Sequence, residues 1–188
     1  MRIITGIYRG RHLATVPDRS VRPVTDRVKS TIFNMLQNRL RLDGARILDL
    51  FAGSGSLGFE ALSRGAATCV FVDTSNPVLT ILEENSEALG CAEACEMIQD
   101  DALSFIEHSS QPYDLIFADP PYAFAMTSDL PSKIFQKKLL RPEGYLIIEH
   151  HKTTVIPSDG LFSLAAQKRF GSTLVSFFTH PHLKKDQP

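Results

Sequence analysis

Apolar positions recur in two rhythms along this 188-residue chain. Between residues 25 and 41 they return every three or four places, at Val28, Ile32, Met35, Leu36 and Leu40. Thr25 stands where a cap belongs, so the segment predicts an amphipathic helix. From Arg46 onward short apolar runs alternate with helical stretches. "RILDLF", "TCVFVD", "ACEMIQD", "YDLIFADPP" and "GYLIIEHH" read as strands. "SLGFEALSRG", "PVLTILEENSEALG", "ALSFIEH" and "SDLPSKIFQKKL" read as the helices between them. Pro77 suits a first turn, Gly90 a helix end, and Pro131 must lie near the start of its helix. "LFSLAAQKRFGSTLVSFFTH" reads as two strands about a Gly171 turn. Ahead of all this, residues 3–6 and 12–16 flank "YRGR" as the arms of a β-hairpin, and a loop holding Pro17 and Pro23 follows.

Strand–helix alternation implies an α/β fold, with parallel βαβ units and helices on both sheet faces. The closing strand pair adds antiparallel pairing at one edge. Three parts follow: a basic hairpin and helix over 1–44, a ligand-binding domain over 45–180, and a tail over 181–188. No repeat or low-complexity run interrupts them.

Composition narrows the class. No apolar run is long enough to span a membrane, and "MRIITGIYRG" lacks an apolar signal core, so a cytoplasmic protein is expected. Three cysteines, Cys69, Cys91 and Cys95, make no disulfide framework, and no Cys or His pair stands near them to complete a zinc site. Reduced thiols and no metal are the expectation. The net charge of −1 hides an asymmetry: residues 1–46 hold ten Lys or Arg against three acids, about +7, and the remainder is about −8. A basic, arginine-rich arm on an acidic body points to a polyanion, and to nucleic acid in particular.

The chemistry sits in two loops. "FAGSGSLG", residues 51–58, is a G-x-G-x-x-G match between a strand and a helix, with Asp73 at the end of the next strand. Gly53 and Gly55 permit tight turning and close backbone approach by a ligand. A dinucleotide would place pyrophosphate on the helix N-terminus, but Asp49 just before the turn repels it. A carboxylate there suits a ligand bearing ammonium and sulfonium groups, as S-adenosylmethionine does. Asp73 can accept two ribose hydroxyls in either cofactor. Asp101, with Ala102, ends the third strand and could hold an adenine amine, with Asp100 as competitor. Any of these acids could instead cap the following helix. The second loop is Asp119-Pro120-Pro121-Tyr122, at the end of the fourth strand. Two prolines remove two donors and leave acceptors, the Asp119 carboxylate and the Pro120 carbonyl, beside a ring. That set can take both hydrogens of a flat ligand's amino group while Tyr122 stacks on the base.

Asp49 to Gly58 with Asp119 to Tyr122 resemble the class I S-adenosylmethionine-dependent methyltransferases that modify exocyclic amino groups of bases. "RIITGIYRGRHL", "RPVTDRVKSTIFNML", "LDLFAGSGSLGFEALSRGA" and "DPPY" together resemble the RsmD family. One departure is Ser30, where the family's N-terminal helix leads one to expect Glu. The resemblance implies a Rossmann-like, mostly parallel seven-stranded sheet with an antiparallel edge strand, and methyl transfer to guanine N2 of 16S ribosomal RNA, by resemblance guanine-966. It implies S-adenosylmethionine as cofactor, held by Asp49, Phe51, Ala52, Gly53, Gly55, Asp73, Asp101, Ala102 and Asp119. It places the acceptor amine at Asp119, Pro120, Pro121 and Tyr122, with the RNA or the assembling small subunit as partner of a monomer. Arg9, Arg11, Arg22, Arg27 and Lys29 are expected to grip phosphates. Asp119 would orient the amine and take its proton late, which asks for no raised pKa. Alternatives are an adenine-N6 DNA methyltransferase, a non-catalytic RNA-binding assembly factor, and an NAD dehydrogenase. The six histidines fall outside both motifs and are expected at the surface or in packing.

Overall fold

The computed structural model describes residues 1–16 and 25–181. Its elements run α1 (Asp26–Leu36), β1 (Arg46–Leu50), α2 (Ser56–Ser63), β2 (Thr68–Asp73), α3 (Asn76–Leu89), β3 (Cys95–Gln99), α4 (Ala102–His108), β4 (Tyr113–Ala118), α5 (Leu130–Gln136), β5 (Leu140–His151), β6 (Ser163–Phe170) and β7 (Thr173–Thr179). The strands form one seven-stranded sheet in the order β3-β2-β1-β4-β5-β7-β6. Strands β3 to β5 run parallel, and β7 runs antiparallel to both β5 and β6.

Local signals explain the boundaries. Thr25 caps α1, its hydroxyl accepting from Val28 N at 3.3 Å. Pro131 falls in the first turn of α5, where its missing N–H costs nothing. Two cores flank the sheet. One joins Ile47, Phe71, Phe117, Ile147 and Phe177 to α1, α2 and α3. The other joins Leu48, Val72, Ile116, Ile148 and Phe178 to α4 and α5.

The N-terminal hairpin departs from expectation. Only Arg2 and His12 make a ladder bridge, in place of two regular strands. Ile3, Gly10 and Leu13 still donate across the hairpin, but four further amides are drawn sideways onto α2. Glu60 Oε2 accepts from Ile4 N at 2.7 Å and Oε1 from Thr5 N at 3.0 Å. Ser63 accepts from Ile7 N through its carbonyl and from Tyr8 N through its hydroxyl. Ile3 and Leu13 are buried in the same core as the sheet. Residues 1–16 are thus fastened to the ligand-binding domain. Asn85 of α3 adds a clip, bonding Ala14 at both N and O.

Candidate active site

Four acids converge at the carboxyl ends of neighbouring strands. In β1, Leu50 pairs with Val72 and with Ala118, so Asp73 and Asp119 follow the strand ends on either side of the glycine turn. Ala118 pairs with Ile148, which sets Glu149 beside Asp119. Alternation puts Asp49, Asp73, Asp119 and Glu149 on the α2 face, at the carboxyl ends of their strands.

The turn uses its own backbone donors on these acids and on itself. Asp73 accepts from Gly53 N at 3.1 Å and from Ser75 N at 3.0 Å. Asp49 accepts from Gly58 N at 3.0 Å. Ala52 N and Gly55 N donate to the carbonyls of Val72 and Ala52. Four donors of the turn and helix start, at Ala52, Gly53, Gly55 and Gly58, are engaged within the chain, which leaves a pyrophosphate fewer partners than a dinucleotide site offers. The two glycines divide their work. Both take positive φ, 52° at Gly53 and 71° at Gly55. A Cβ on Gly55 would meet Leu82 and Phe59 at 2.6 Å, whereas one on Gly53 would find nothing nearer than the Phe51 carbonyl at 4.0 Å. Gly55 serves packing, and Gly53 keeps the approach open. Phe51 also holds a positive φ of 59°, and its ring meets Phe124 edge-on at 5.0 Å.

Electrostatics sets the cluster apart. Asp49 is 2% exposed, and burial pushes its carboxyl up to about 8, with Asp73 adding to the rise and the Gly58 N–H opposing it. Asp119 is raised well above the carboxylate range by burial first, then by Glu149 and Asp49. The sequence asked for no such shift, because nothing there placed Glu149 beside Asp119. The only notice of Glu149 was a lone acid in the apolar run "YLIIEHH". Stacked carboxylates of this kind suit a cation, and a ligand carrying ammonium and sulfonium groups fits both their charge and the open backbone at Gly53.

At the acceptor side, Pro120 is buried and Tyr122 is 55% exposed. Its hydroxyl bonds Thr173 Oγ1 at 2.6 Å, and its ring edge meets His151 at a centroid distance of 5.7 Å. The ring is pinned at tip and edge, which leaves it available for stacking. Thr173 and His151 are register partners, so β5 and β7 jointly build this support. His151 therefore touches the motif, whereas His150 is buried on the other face of β5, against Ser176.

Other expected residues fare differently. Asp101 caps α4, its Oδ1 accepting from Leu103 N at 2.9 Å and Ser104 N at 3.2 Å, and Ala102 is buried as the first helical residue. Asp100 Oδ1 accepts from Asp101 N. Arg9, Arg11 and Arg27 are exposed, and the Arg11 guanidinium donates to the Ala88 carbonyl at the end of α3. Arg22, the loop prolines and the 182–188 tail lie outside the described residues. Lys29 must be corrected: it is 0% exposed and cannot reach a phosphate. Its ammonium donates to the Arg2 carbonyl at 2.6 Å and Ser56 Oγ at 3.0 Å and lies 3.7 Å from Glu60 Oε2. The signal was its position three, four and seven residues before Ile32, Phe33 and Leu36, on the apolar stripe of α1. Among the described residues no group of His, Cys, Asp or Glu could hold a metal, and no helix is long and apolar enough to cross a membrane.

Residues 1–179 match the family described as Conserved hypothetical protein 95. The ribosomal RNA small subunit methyltransferase D of Haemophilus influenzae is 36% identical over 174 residues, covering 91% of this chain and 89% of that protein. The solved structure of yhhF from Escherichia coli aligns with a TM-score of 0.84 at 32% identity, over 96% of this chain and 97% of that one. SMU.776, solved in complex with SAH, shares the fold at 16% identity, with a TM-score of 0.65 over 80% of this chain and 48% of its own.

Proposed function

This chain belongs to the RsmD family, and from that premise we propose that it is a ribosomal RNA methyltransferase, using S-adenosylmethionine to methylate the exocyclic N2 of a guanine in 16S ribosomal RNA. The observation that carries the reading is the meeting of Asp119-Pro-Pro-Tyr122 with the acid-flanked glycine turn at adjacent strand ends. S-adenosylmethionine, when bound, supplies a methyl group on a cationic sulfur that becomes neutral as the group leaves.

The chain's own residues supply position and charge. Asp49 and Asp73 hold the donor's cationic and hydroxyl groups. Asp119 and the Pro120 carbonyl accept the two amine hydrogens, which turns the nitrogen lone pair toward the methyl carbon. After transfer the nitrogen carries one proton too many, and Asp119 accepts it. In its ionised form, which the donor's cationic sulfur favours, Asp119 is a stronger base than an ordinary carboxylate. Phe51 and Phe124 shield the path from water. Tyr122 stacks on a guanine that has left its helix. Exposed Arg9, Arg11 and Arg27 contact phosphates near the mouth.

The test is transfer of labelled methyl from S-adenosylmethionine to 16S RNA or to small subunits, with the product nucleoside identified. N2-methylguanosine is expected. Label on duplex DNA, on adenine, or on no nucleic acid would refute the reading.

A further inference from the structure

We propose that the cavity enclosed by β5, β6, β7 and the 152–162 loop seats the base of a nucleotide next to the methyl acceptor, a reading that rests on the RNA substrate proposed above. The cavity measures about 240 Å³. That falls below the roughly 300–1,000 Å³ of drug-sized sites and suits one flat ring system. It opens on the α4/α5 face of the sheet, through His150, Ser176 and Phe178, and so is separate from the carboxylate cluster.

Its walls are apolar and aromatic, with Ile156, Phe162 and Phe178 lining it. Its floor is a polar chain with a fixed direction. His150 Nδ1 faces the His151 carbonyl at 3.1 Å and must carry the hydrogen. His150 Nε2 is then an acceptor for the Ser176 hydroxyl at 2.8 Å. Ser176 Oγ in turn accepts from Gln167 Nε2 at 2.9 Å. Burial holds His150 below its ordinary pKa, in keeping with a neutral ring. His150 and Ser176 are 3% and 0% exposed, so the chain is built into the fold. It fixes the Gln167 amide with one N–H committed. The second N–H and the carbonyl form a donor–acceptor pair of the kind that reads a base edge.

The mouth points to the same occupant. Val155 and Leu164 line the cavity yet are 78% and 53% exposed, an apolar rim that no described residue covers. Arg169 is exposed on the same face of β6 as Gln167, and Lys152 is exposed where β5 ends, so cations stand ready for the connecting phosphates. The seat and the acceptor platform lie on opposite faces of the same end of β5. His150 lines the cavity, and the next residue, His151, supports Tyr122. A guanine flipped onto Tyr122 leaves its neighbour without a stacking partner, and a cavity reached around the end of β5 replaces that loss.

The test uses wild type, Gln167→Ala and Leu164→Ser, all with the donor site untouched. The substrate is 16S RNA carrying about one random abasic site per molecule, used naked and as reconstituted subunits. Methylated molecules are recovered and the abasic positions depleted from them are read. Wild type should reject molecules abasic at a nucleotide adjacent to the target. Each variant should raise the KM for RNA about tenfold with kcat kept, the size of one lost stacking contact, and the adjacent-position depletion should vanish. An unchanged KM, or the same depletion in variant and wild type, overturns the seat. So does a KM effect seen on subunits but absent on naked RNA that wild type methylates, because a ribosomal protein would then fill the cavity. If wild type methylates no guanine N2 even in intact RNA, the proposed function itself falls and the seat falls with it.

Discussion

Glu60 and Asp49 are both shut away from solvent, at 0% and 2% exposure, but their surroundings differ in kind. Glu60 accepts from two backbone amides of the N-terminal segment and from Arg64 Nε at 2.9 Å, with Lys29 at 3.7 Å. Asp49 has one backbone N–H and faces further acids. A buried charge whose partners come from its own chain is a fastening. A buried charge set among like charges favours whatever cation arrives from outside. The contrast sets Glu60 in the architecture and supports the ligand roles proposed for Asp49 and Asp119.

That contrast can be attacked at four points. The largest effect belongs to Asp119→Ala, which should lower kcat for methyl transfer by about 10²–10⁴-fold while donor binding persists in calorimetry. Near wild-type turnover would remove Asp119 from the chemistry. Next is Glu60→Ala, expected to cost about 3–5 kcal/mol in denaturant unfolding by stranding Lys29. Adding Lys29→Met to Glu60→Gln should recover most of the loss, since glutamine still accepts an amide hydrogen; no recovery would show that the backbone hooks matter more than the charges.

Asp49→Asn sharpens the other side. Folding raises this carboxyl from its ordinary value to about 8. Its contribution to stability is therefore fully present below about pH 4 and lost as pH climbs through 8. An amide cannot ionise, so without ligand the variant should exceed wild type by about 2–4 kcal/mol at pH 9 and match it at pH 4. Donor affinity should fall in the same protein. Coincident melting curves at pH 9 would mean that the buried charge carries no such cost. The smallest effect is Thr173→Val, which frees the Tyr122 hydroxyl. About 1 kcal/mol, or roughly fivefold in KM for RNA at constant kcat, is expected, with rescue by Thr173→Ser. A fall in kcat alone would contradict a stacking role for the ring.

Much of this was legible in the chain. The glycine turn, its flanking acids and the proline pair are local, so sequence order placed them at strand ends. Their meeting required only the strand order of a parallel sheet. Glu149 and Thr173 could not be found this way, because register across β4, β5 and β7 brings them to Asp119 and Tyr122. Lys29 misled because net charge counts a buried ammonium and an exposed one alike. Asp101 shows the reverse: one side chain satisfies a helix cap and an expected ligand position, and spacing does not separate the two. The hairpin was read as two strands because its extended pattern was visible and its partner, the polar edge of α2, lay more than fifty residues away.

That separation has a further consequence for how the molecule comes to be. The hooks on Glu60 and Ser63 span 55 to 58 positions. During synthesis, residues 1–16 emerge long before α2 exists, and Ile4, Thr5, Ile7 and Tyr8 have no partner for their amides until it forms. Docking over such a separation is entropically slow and comes after the local sheet and helix contacts. The same segment is held by bonds to α1, α2 and α3 and by Ile3 and Leu13 in the core, so these contacts form together or not at all. Arg9 and Arg11 ride on that segment. The proposed grip on the polyanion is thus the last part of the fold to arrive.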